Sequence, residues 1–384
     1  MIPENNIPTK AYVVDSPGAP FTLQDVILDE VKPDEVLVEI QYTGLCHTDI
    51  VVQKGIISAG QYPAVLGHEG VGIVRRVGSS VKDKTLKDGD LVFLGFNTCN
   101  NCSACHDERK GFCHSFTSSN FVGGRGENGP SPISSTSGKS IRGKFFGQSS
   151  MSKLAIVAES SIVKSPIPLD IDTDLAPLAP LGCGYITGAG TVMNVLKPKP
   201  STKLVVLGMG AVGLAAVMAA RAMGVETIIG ADFVDAKLEL AKEVGASHIL
   251  NTKKVAGLKE GLLEMFPGGV DQILDTTGVV PLLEASIEAL GHEGVLVIVG
   301  VVPAGAKLSF EPQEFMMACK QIIGSIEGCS NPQVLLPQLI KLYKEGKFPV
   351  DKLFKVYDTR ALEDALEDLK LGKVIKPILK WTDL

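Results

Sequence analysis

Apolar and polar residues in the first part of the chain alternate with a period of two. Within residues 36–42, every second position is valine, isoleucine or tyrosine, and this pattern predicts a half-buried β-strand. Short apolar runs follow at Gly70–Val77 and Leu91–Phe96, so the first part is predicted to be rich in strands. Between Phe116 and Ser150 the composition shifts to Ser, Gly, Asn and Pro, which predicts a long irregular insertion.

A different pattern begins after residues 197–200, where the sequence is Lys-Pro-Lys-Pro. The predicted strands here are Lys203–Leu207, Thr227–Ala231, Gln272–Leu274 and Val295–Val299, and the predicted helices are Ala211–Met223 and Ala236–Val244. Alternating strands and helices indicate βαβ units on a parallel sheet. The tail from about Asn331 is predicted to be mostly helical, with a last strand at Val374–Leu379. The fold class is therefore α/β, with a doubly wound parallel sheet and a second, β-rich domain.

Length and composition fit two globular domains and exclude several functions. A chain of 384 residues is long enough for two cores, and 45% hydrophobic with 21% charged residues is ordinary for a globular protein. A net charge of -6 without a basic stripe argues against nucleic acid as a partner. No apolar run predicts a membrane span, and Met1–Lys10 lacks the apolar segment of a secretory signal. Eight cysteines in such a chain indicate metal ligands in a reducing compartment, so a cytoplasmic location is expected.

One short segment is dense in cysteine. Its four thiols follow the pattern C-x2-C-x2-C-x7-C, at Cys99, Cys102, Cys105 and Cys113. Four thiolates suit a tetrahedral zinc site with no open coordination position, so this zinc is predicted to be structural. An iron–sulfur cluster and a disulfide pair are the alternatives. His106 and His114 adjoin the cluster and could replace a thiolate, but four cysteines already fill the coordination shell.

A glycine-rich turn, GMGAVG at residues 208–213, lies between a predicted strand and an Ala-rich predicted helix. In a dinucleotide fold Gly208 permits the tight turn, Gly210 lets the pyrophosphate approach the backbone, and Gly213 lets the helix pack close to the strand. Asp232 ends the next strand, where a carboxylate accepts hydrogen bonds from the adenosine ribose and repels a 2′-phosphate. A plain glycine-rich turn is the alternative. The strand and helix on either side favour a site for NAD, with NADP disfavoured.

Two further cysteines and a histidine stand in distinctive surroundings. Cys46 lies in GLCHTD, His68 in GHEG and Cys183 in GCGYITG. Two cysteines and one histidine can hold a catalytic zinc whose fourth position stays open for water or substrate. Each residue alone has another interpretation, as a buried thiol or a core histidine.

In combination and in order, these motifs resemble those of the zinc-containing medium-chain alcohol dehydrogenases. The resemblance covers nearly the whole chain, through GLCHTD (44–49), GHEGVG (67–72), the four-cysteine segment, GCGYITG (182–188) and GMGAVG (208–213). Softer patterns are most similar to the benzyl or aryl alcohol dehydrogenase branch, namely GKFFGQSS (143–150), GSIEG and KFPVDKL (347–353).

The resemblance implies roles for individual residues. The implied ligands of the catalytic zinc are Cys46, His68 and Cys183. Glu69 is similar to a carboxylate that can bind the metal transiently, Asp49 to the acid that orients the ligand histidine, and Thr48 to the hydroxyl that receives the substrate's proton. The residues implied to contact the cofactor are His47 and Lys376 at the pyrophosphate, Thr187 and Val301 at the nicotinamide, and Lys237 beside Asp232 at the ribose.

The resemblance also implies an architecture and an activity. The expected architecture is a GroES-like catalytic domain at 1–187 with 325–384, and a Rossmann domain at 188–324. The expected activity is reversible hydride transfer between NAD and a small primary alcohol, aromatic or allylic, in a homodimer or homotetramer with two zinc ions per subunit.

Three other activities are compatible with the same motifs. One is a dehydrogenase of S-(hydroxymethyl)glutathione, for which Arg125 and Arg142 could supply a cationic pocket. Another is an aldehyde or ketone reductase of a biosynthetic pathway. The third is a nucleotide-binding module without catalysis, which intact zinc ligands disfavour.

Two positions depart from the family pattern in ways that affect chemistry. Val51 stands where liver-type members have a histidine that ends the proton relay, so His47 or water must replace it. Cys329 stands where the benzyl branch often has an aspartate.

The predicted pocket wall also departs from the pattern. Gly95 stands where liver-type enzymes have a phenylalanine, and a glycine there is expected to widen the pocket. Phe145 and Phe146 align with pocket-wall aromatics, with simple core packing as the equal alternative for Phe146.

Overall fold

The computed structural model describes residues 2–57, 60–126 and 129–381. Its contacts divide the chain into two units. The first unit comprises Met1–Cys183, Asn331–Gln338 and Val350–Leu384, and the second comprises Gly184–Ser330 and Leu339–Pro349. The prediction of an α/β fold class is confirmed.

The first unit is built mainly from antiparallel strands. They are β1 (Ile7–Val14), β2 (Phe21–Leu28), β3 (Glu35–Gly44), β4 (Ala64–Val65), β5 (Gly70–Val77), β6 (Leu91–Leu94), β7 (Ile133–Ser135), β8 (Ser140–Ile141), β9 (Leu154–Ala158), β10 (Ile162–Lys164), β17 (Phe354–Asp358) and β18 (Lys376–Lys380). One sheet has the order β4-β1-β2-β7-β8, and the other has the order β10-β6-β5-β3-β18-β17 with β9 also paired to β3. The helices are α1 (His47–Gln53), α2 (Ser103–His106), α3 (Phe116–Phe121), α4 (Leu175–Leu178) and α12 (Leu362–Lys370).

Strand β3 is central to this unit. It is buried along nearly its whole length, more than the half-burial that its alternation predicted. The reason is that both faces of the strand are covered, since the consecutive residues Val36, Leu37 and Val38 all belong to the hydrophobic core, while β5, β9 and β18 pair with its edges. Its C-terminal end, where Thr43 pairs with Gly70, supports the loops that carry Cys46 and His68.

The second unit contains one parallel sheet of six strands. These are β11 (Lys203–Leu207), β12 (Thr227–Asp232), β13 (His248–Asn251), β14 (Val270–Asp275), β15 (Leu290–Ile298) and β16 (Gln321–Gly324). Their spatial order, β13-β12-β11-β14-β15-β16, is the doubly wound Rossmann order. The helices are α5 (Gly184–Gly190), α6 (Ala211–Ala222), α7 (Asp235–Val244), α8 (Leu258–Met265), α9 (Val280–Ala289) and α10 (Pro312–Met317), while α11 (Pro332–Lys344) supplies residues to both units.

The unit boundaries differ from the expected ones, which followed residues 187 and 324. They follow Cys183 and Ser330, and Leu339–Pro349 joins the second unit. The first difference arises because α5 packs against α6. The two helices are so close that a Cβ on Gly188 would lie 1.9 Å from the carbonyl oxygen of Val212.

The segment predicted as an irregular insertion is more ordered than its composition indicates. It contains α3, and β7 extends the first sheet by pairing with β2. A three-residue strand is too short to show a period of two, so the sequence pattern could not reveal it. The tail likewise contains β17, which was not predicted, beside the predicted last strand. Within the described residues, no helix is long and apolar enough to cross a membrane.

Candidate active site

Helix α1 begins at the residue after Cys46, which places a thiol and a carboxylate at one helix end. The backbone N–H of Cys46 donates to Asp49 Oδ2 at 3.0 Å, and the Asp49 N–H donates to the Cys46 carbonyl at 3.1 Å. A carboxylate in the first turn of a helix is also stabilised by the helix dipole. Asp49 is thereby fixed beside the loop that carries His68.

Asp49 orients the imidazole of His68. Its Oδ1 lies 3.0 Å from His68 Nδ1 and also accepts the Gly67 N–H at 3.0 Å. The opposite ring nitrogen, Nε2, is buried and has no hydrogen-bond partner among the described residues. Nε2 is therefore turned toward the position that a metal would occupy.

The structure brings together the three residues that the motifs separate. Ligand atoms of Cys46, His68 and Cys183 lie within 4.8 Å of one another. A hydrogen bond with the Cys183 side chain is the main reason why the pKa of the Cys46 thiol lies well below its ordinary value. Two thiols and one orphaned imidazole nitrogen are a donor set that suits zinc with a fourth position open.

A buried ion pair lies next to these ligands. Lys376 Nζ contacts Glu69 Oε1 and Oε2 at 2.9 and 2.8 Å and donates to the Leu45 carbonyl at 3.2 Å. Burial raises the pKa of the Glu69 carboxyl, and the Lys376 charge opposes that rise. These three contacts turn the Lys376 ammonium toward Glu69 and the Leu45 carbonyl. The role of Lys376 at the pyrophosphate stays a prediction.

Aromatic rings enclose the other side of His68. Phe146 stacks on the imidazole with ring centroids 4.6 Å apart, and Phe145 meets it edge-on at 5.4 Å. Both phenylalanines are buried. They therefore hold the ligand histidine in place and belong to the core at the same time.

Gln148, which sequence reasoning missed, ties this aromatic segment to the zinc ligand loop. Its Nε2 donates to the carbonyls of His68 and Gly95 at 3.0 Å each, and its Oε1 accepts the Gly70 N–H at 3.1 Å. A polar side chain with no exposed surface is stable only when its groups are bonded. The sole signal in the sequence was a glutamine two residues after the aromatic pair Phe145–Phe146.

The residues that were predicted to form the proton relay, His47 and Thr48, lie on α1. Thr48 Oγ1 lies 3.7 Å from Cys46 Sγ, so its hydroxyl adjoins the metal position. His47 is exposed at the start of the same helix, and Val51 is buried. The side chain at position 51 therefore cannot accept a proton from Thr48, as the sequence predicted.

The expectation that Gly95 widens a pocket is not supported. A Cβ at this position would lie 3.2 Å from Pro332 Cβ and 3.3 Å from Pro332 Cγ. The space beside Gly95 is thus filled by a proline from a distant part of the chain. Sequence alone could not reveal this, because the two residues are neighbours only in the folded unit.

The four-cysteine segment forms a second cluster. The Sγ atoms of Cys99 and Cys113 are 3.5 Å apart, and those of Cys99 and Cys105 are 3.9 Å apart. These distances fit the edge of a thiolate tetrahedron around zinc, about 3.8 Å, and exclude a disulfide. His114 donates its backbone N–H to Cys102 Sγ at 3.5 Å, so its contact with the cluster is through the main chain.

The thiols of this cluster have unequal acidity. Burial opposes ionisation of Cys99, but backbone N–H groups of Asn101 and Cys102 lower its pKa to about 6. Burial, reinforced by Cys102, raises the pKa of Cys105 to about 12. A divalent cation would remove this inequality by stabilising all four thiolates. The donor set and its spacing fit a closed structural zinc site.

The second unit carries the predicted dinucleotide motif at the carboxyl ends of its strands. Gly208 has a φ of +88°, and a Cβ at Gly213 would lie 1.9 Å from the Gly208 carbonyl oxygen. A Cβ at Gly210 would meet nothing within 4 Å, which leaves open space above the start of α6. These are the three properties that a pyrophosphate cradle requires.

Three other predicted cofactor residues, Asp232, Lys237 and Val301, lie at or shortly after the carboxyl ends of β12 and β15. Asp232 ends β12, where its carboxylate accepts hydrogen bonds from the N–H groups of Met209 at 2.8 Å and of Phe233 and Val234. Lys237 is half-buried on α7, and Val301 is 58% exposed beyond β15.

Thr187, predicted to contact the nicotinamide, is buried on α5, and its hydroxyl donates to Glu327 at 3.3 Å.

Comparison with known proteins agrees with both units. A family model described as "Alcohol dehydrogenase GroES-like domain" matches residues 32–167, and one described as "Zinc-binding dehydrogenase" matches residues 211–345. A geraniol dehydrogenase of Castellaniella defragrans is 34% identical over 97% of this chain and 98% of its own length. This chain belongs to the zinc-containing medium-chain alcohol dehydrogenase family.

Two solved structures extend the likeness to the whole fold. A zinc-binding alcohol dehydrogenase domain protein from Burkholderia ambifaria has a TM-score of 0.93 and 38% identity, over 98% of this chain and 99% of the other. Benzyl alcohol dehydrogenase from Acinetobacter calcoaceticus has a TM-score of 0.90 and 36% identity, over 97% and 99%. Like these relatives, the present chain has a GroES-like domain and a Rossmann domain. It acts on alcohols and depends on zinc and a nicotinamide cofactor.

Proposed function

We propose that this protein oxidises primary aromatic or allylic alcohols with NAD, and reduces the matching aldehydes in the reverse direction. The observation that carries the proposal is that ligand atoms of Cys46, His68 and Cys183 lie close together. Nε2 of His68 is buried without a hydrogen-bond partner among the described residues, and the Thr48 hydroxyl lies beside Cys46. These residues supply a metal site with one open position and a group that can exchange a proton there.

The chain's own contribution to the reaction is orientation and proton movement. When bound, zinc acts as a Lewis acid toward the alcohol oxygen, and NAD accepts the hydride. Asp49 keeps His68 Nε2 turned toward the metal position. Thr48 Oγ1 accepts the alcohol proton and releases its own. Because Val51 cannot receive that proton, His47 or water takes it.

Apolar surroundings support the aromatic or allylic substrate class. Phe145 and Phe146 pack on His68, and the apolar side chain of Val51 is buried on α1. The relatives named geraniol dehydrogenase and benzyl alcohol dehydrogenase are similar over nearly the whole chain. A flat apolar substrate gains about 25 cal/mol for each Å² of surface that it buries.

Asp232 supports NAD as the cofactor. Three backbone N–H groups hold its carboxylate at the end of β12, where an adenosine ribose binds in this fold. An ionised carboxylate at that position repels the phosphate that distinguishes NADP from NAD.

The glutathione alternative receives little support from the arginines on which it depended. Arg125 contacts Glu35 at 2.9 and 3.0 Å and Asp29 at 2.6 Å, and its side chain is 12% exposed. Arg142 Nη1 contacts the Gly129 carbonyl at 3.4 Å. The guanidinium of Arg125 is therefore engaged inside the first unit and is not available to a carboxylate from outside.

Steady-state kinetics with benzyl alcohol, geraniol and ethanol, each with NAD and with NADP, tests the proposal. We expect kcat/KM to be roughly a hundredfold higher for benzyl alcohol than for ethanol, since about 100 Å² of extra buried surface contributes about 2.5 kcal/mol. We expect NAD to be preferred over NADP. A preference for ethanol, or for NADP, would contradict the assignment.

We also infer a homodimer. Strand β16 lies at the edge of the six-stranded sheet, and α10 beside it in sequence has no buried residue. Met316 and Met317 on that helix are 65% and 66% exposed. A second copy would cover both the open strand edge and these apolar side chains. Light scattering of the wild type and of Met316→Glu tests this, with a monomeric wild type as the contrary result.

A further inference from the structure

The buried turn at residues 145–149 has an unusual backbone. Phe146, Gly147 and Ser149 have φ values of +52°, +71° and +50°, so three of its five residues lie in the left-handed region. Gly147 has no alternative, because a Cβ there would lie 2.3 Å from Ser161 Oγ. Non-glycine residues in this region are strained and persist only where the surroundings hold them, so such a turn points to a demand on the side chains that it presents.

Two side chains of this turn hold His68 from different sides. The Phe146 ring stacks on the imidazole, with ring centroids 4.6 Å apart. The Gln148 amide bonds the main chain of the same loop, since its Nε2 donates to the His68 carbonyl at 3.0 Å and its Oε1 accepts the Gly70 N–H at 3.1 Å. One short segment therefore fixes both the ring and the main chain of this histidine.

The same amide reaches the segment of a second cysteine through Gly95. Gln148 Nε2 also donates to the Gly95 carbonyl, just after β6, at 3.0 Å. The backbone of Gly182 packs directly on this strand end, since a Cβ on Gly182 would lie 1.8 Å from the Leu94 carbonyl oxygen and 3.2 Å from Gly95 Cα. Gln148 therefore links the histidine loop to the strand end that supports Cys183.

Loss of this amide would affect both segments at once. Gln148 has no exposed surface, and its carbonyl and NH2 groups bond three buried backbone groups. Removing the amide takes a hydrogen bond from each of these groups, and buried polar groups that lose a partner are unfavourable. The two segments would then move toward other partners, and the ligand atoms of His68 and Cys183 would move with them.

We propose that Gln148 is a positioning residue that fixes His68 relative to Cys183 and thereby sets the affinity of their cluster for zinc. This inference rests on the proposed roles of these two residues as zinc ligands. Asp49 orients the imidazole ring, whereas Gln148 acts on the main chain of two ligand segments.

The chain offers a matched control in Asn120. Like Gln148, it is an amide without exposed surface that accepts one backbone N–H and donates to two carbonyls. Its Oδ1 accepts the Asn97 N–H at 2.8 Å, and its Nδ2 donates to the carbonyls of Asn97 at 3.0 Å and Phe116 at 2.7 Å. These partners flank the four-cysteine segment, so Asn120→Leu removes an equal set of bonds away from His68 and Cys183.

Competition with a chelator measures the zinc affinity of each purified protein, and the binding step that is missing from Cys46→Ala belongs to the catalytic cluster. We expect Gln148→Met, which keeps the length of the side chain but removes its amide, to weaken this step about 10- to 100-fold, the range for residues that hold metal ligands. Asn120→Leu should lower the temperature of thermal unfolding to a similar degree but change this step by less than about twofold.

Cobalt(II) bound in place of zinc supplies a spectroscopic readout, because its visible absorption depends on the arrangement of its ligands. The bands of the catalytic cluster should shift in Gln148→Met and stay unchanged in Asn120→Leu. Gln148→Asn keeps the amide but is one methylene shorter, so it should weaken zinc binding less than Gln148→Met does.

Each contrary result is distinct. Unchanged zinc affinity in Gln148→Met would overturn the inference and leave the metal ligands as proposed. An equal fall in Gln148→Met and Asn120→Leu would also overturn it, since that is the effect of a general loss of stability. If Gln148→Met does not fold, Gln148→Asn decides, with unchanged affinity and spectrum as the contrary result. A wild type without any binding step that Cys46→Ala lacks would overturn the proposed ligand set together with this inference.

Discussion

The two candidate metal clusters of the first unit, the proposed structural one and the proposed catalytic one, differ in how the chain assembles them. The four thiols of the structural cluster come from 15 consecutive residues, Cys99 to Cys113, and their hydrogen bonds within the described residues are with one another and with backbone N–H groups. The ligands of the catalytic cluster come from residues 46, 68 and 183, and one of them is oriented by a buried aspartate and enclosed by two aromatic rings. A closed site needs only local spacing, whereas a site with an open position needs the fold to hold each ligand separately.

The largest expected effect is on turnover, from Cys46→Ala. Removing one of three ligands should lower kcat/KM at least about a thousandfold, because the Lewis acid that favours ionisation of the alcohol is lost. Thermal unfolding should change little, since neighbouring strands hold this loop. Cys319→Ala, at an exposed cysteine, is the matched control and should be as active as the wild type. Near-normal turnover in Cys46→Ala would show that Cys46, His68 and Cys183 do not hold a metal that catalysis requires.

Cys99→Ala should lower the stability of the protein more than it lowers its activity. Losing one thiolate should release the structural zinc and destabilise the segment by roughly 3 kcal/mol or more, because metal binding there is coupled to local folding. Limited proteolysis should then cut between residues 99 and 113, and urea unfolding should begin earlier. If Cys46→Ala and Cys99→Ala lost stability equally, the proposed division of roles would be wrong.

Asp49→Asn should have an intermediate effect confined to the catalytic cluster. The amide keeps the size of the side chain but weakens its hold on His68 Nδ1, which in such sites costs about 10- to 100-fold in metal affinity or activity. Zinc affinity measured by competition with a chelator checks this. An unchanged affinity would show that the phenylalanines alone orient the imidazole.

The smallest effect should come from His114→Ala at the structural cluster. His114 is exposed, and it contacts Cys102 through its backbone, which alanine keeps. We expect a change in unfolding free energy within about 0.5 kcal/mol and full zinc content. Loss of zinc would mean that the imidazole replaces a thiolate, the alternative that the sequence left open.

The contrast between local and long-range features also explains which parts of the molecule could be predicted from the sequence. The strand Gly70–Val77 and the helix of the glycine-rich turn have strong local patterns, and both lie where they were predicted. Strand β7 and the boundaries of the units depend on partners far away in the chain, so no local pattern reveals them.

Site residues follow the same division. The cysteine spacing was visible directly, and the three distant ligands became a credible set only through the resemblance of their motifs. Gln148 was missed because it bonds to residues from other segments, among them His68. Gly95 was misjudged for a related reason, since Pro332 fills the space that the glycine leaves.

The presence of two independent zinc sites can be tested by zinc analysis of three purified proteins. We expect two zinc ions per chain in the wild type, one for each cluster, and one in both Cys46→Ala and Cys99→Ala. The single zinc of Cys99→Ala should be the one that supports turnover. One zinc in the wild type, or loss of both ions from either variant, would contradict two independent sites.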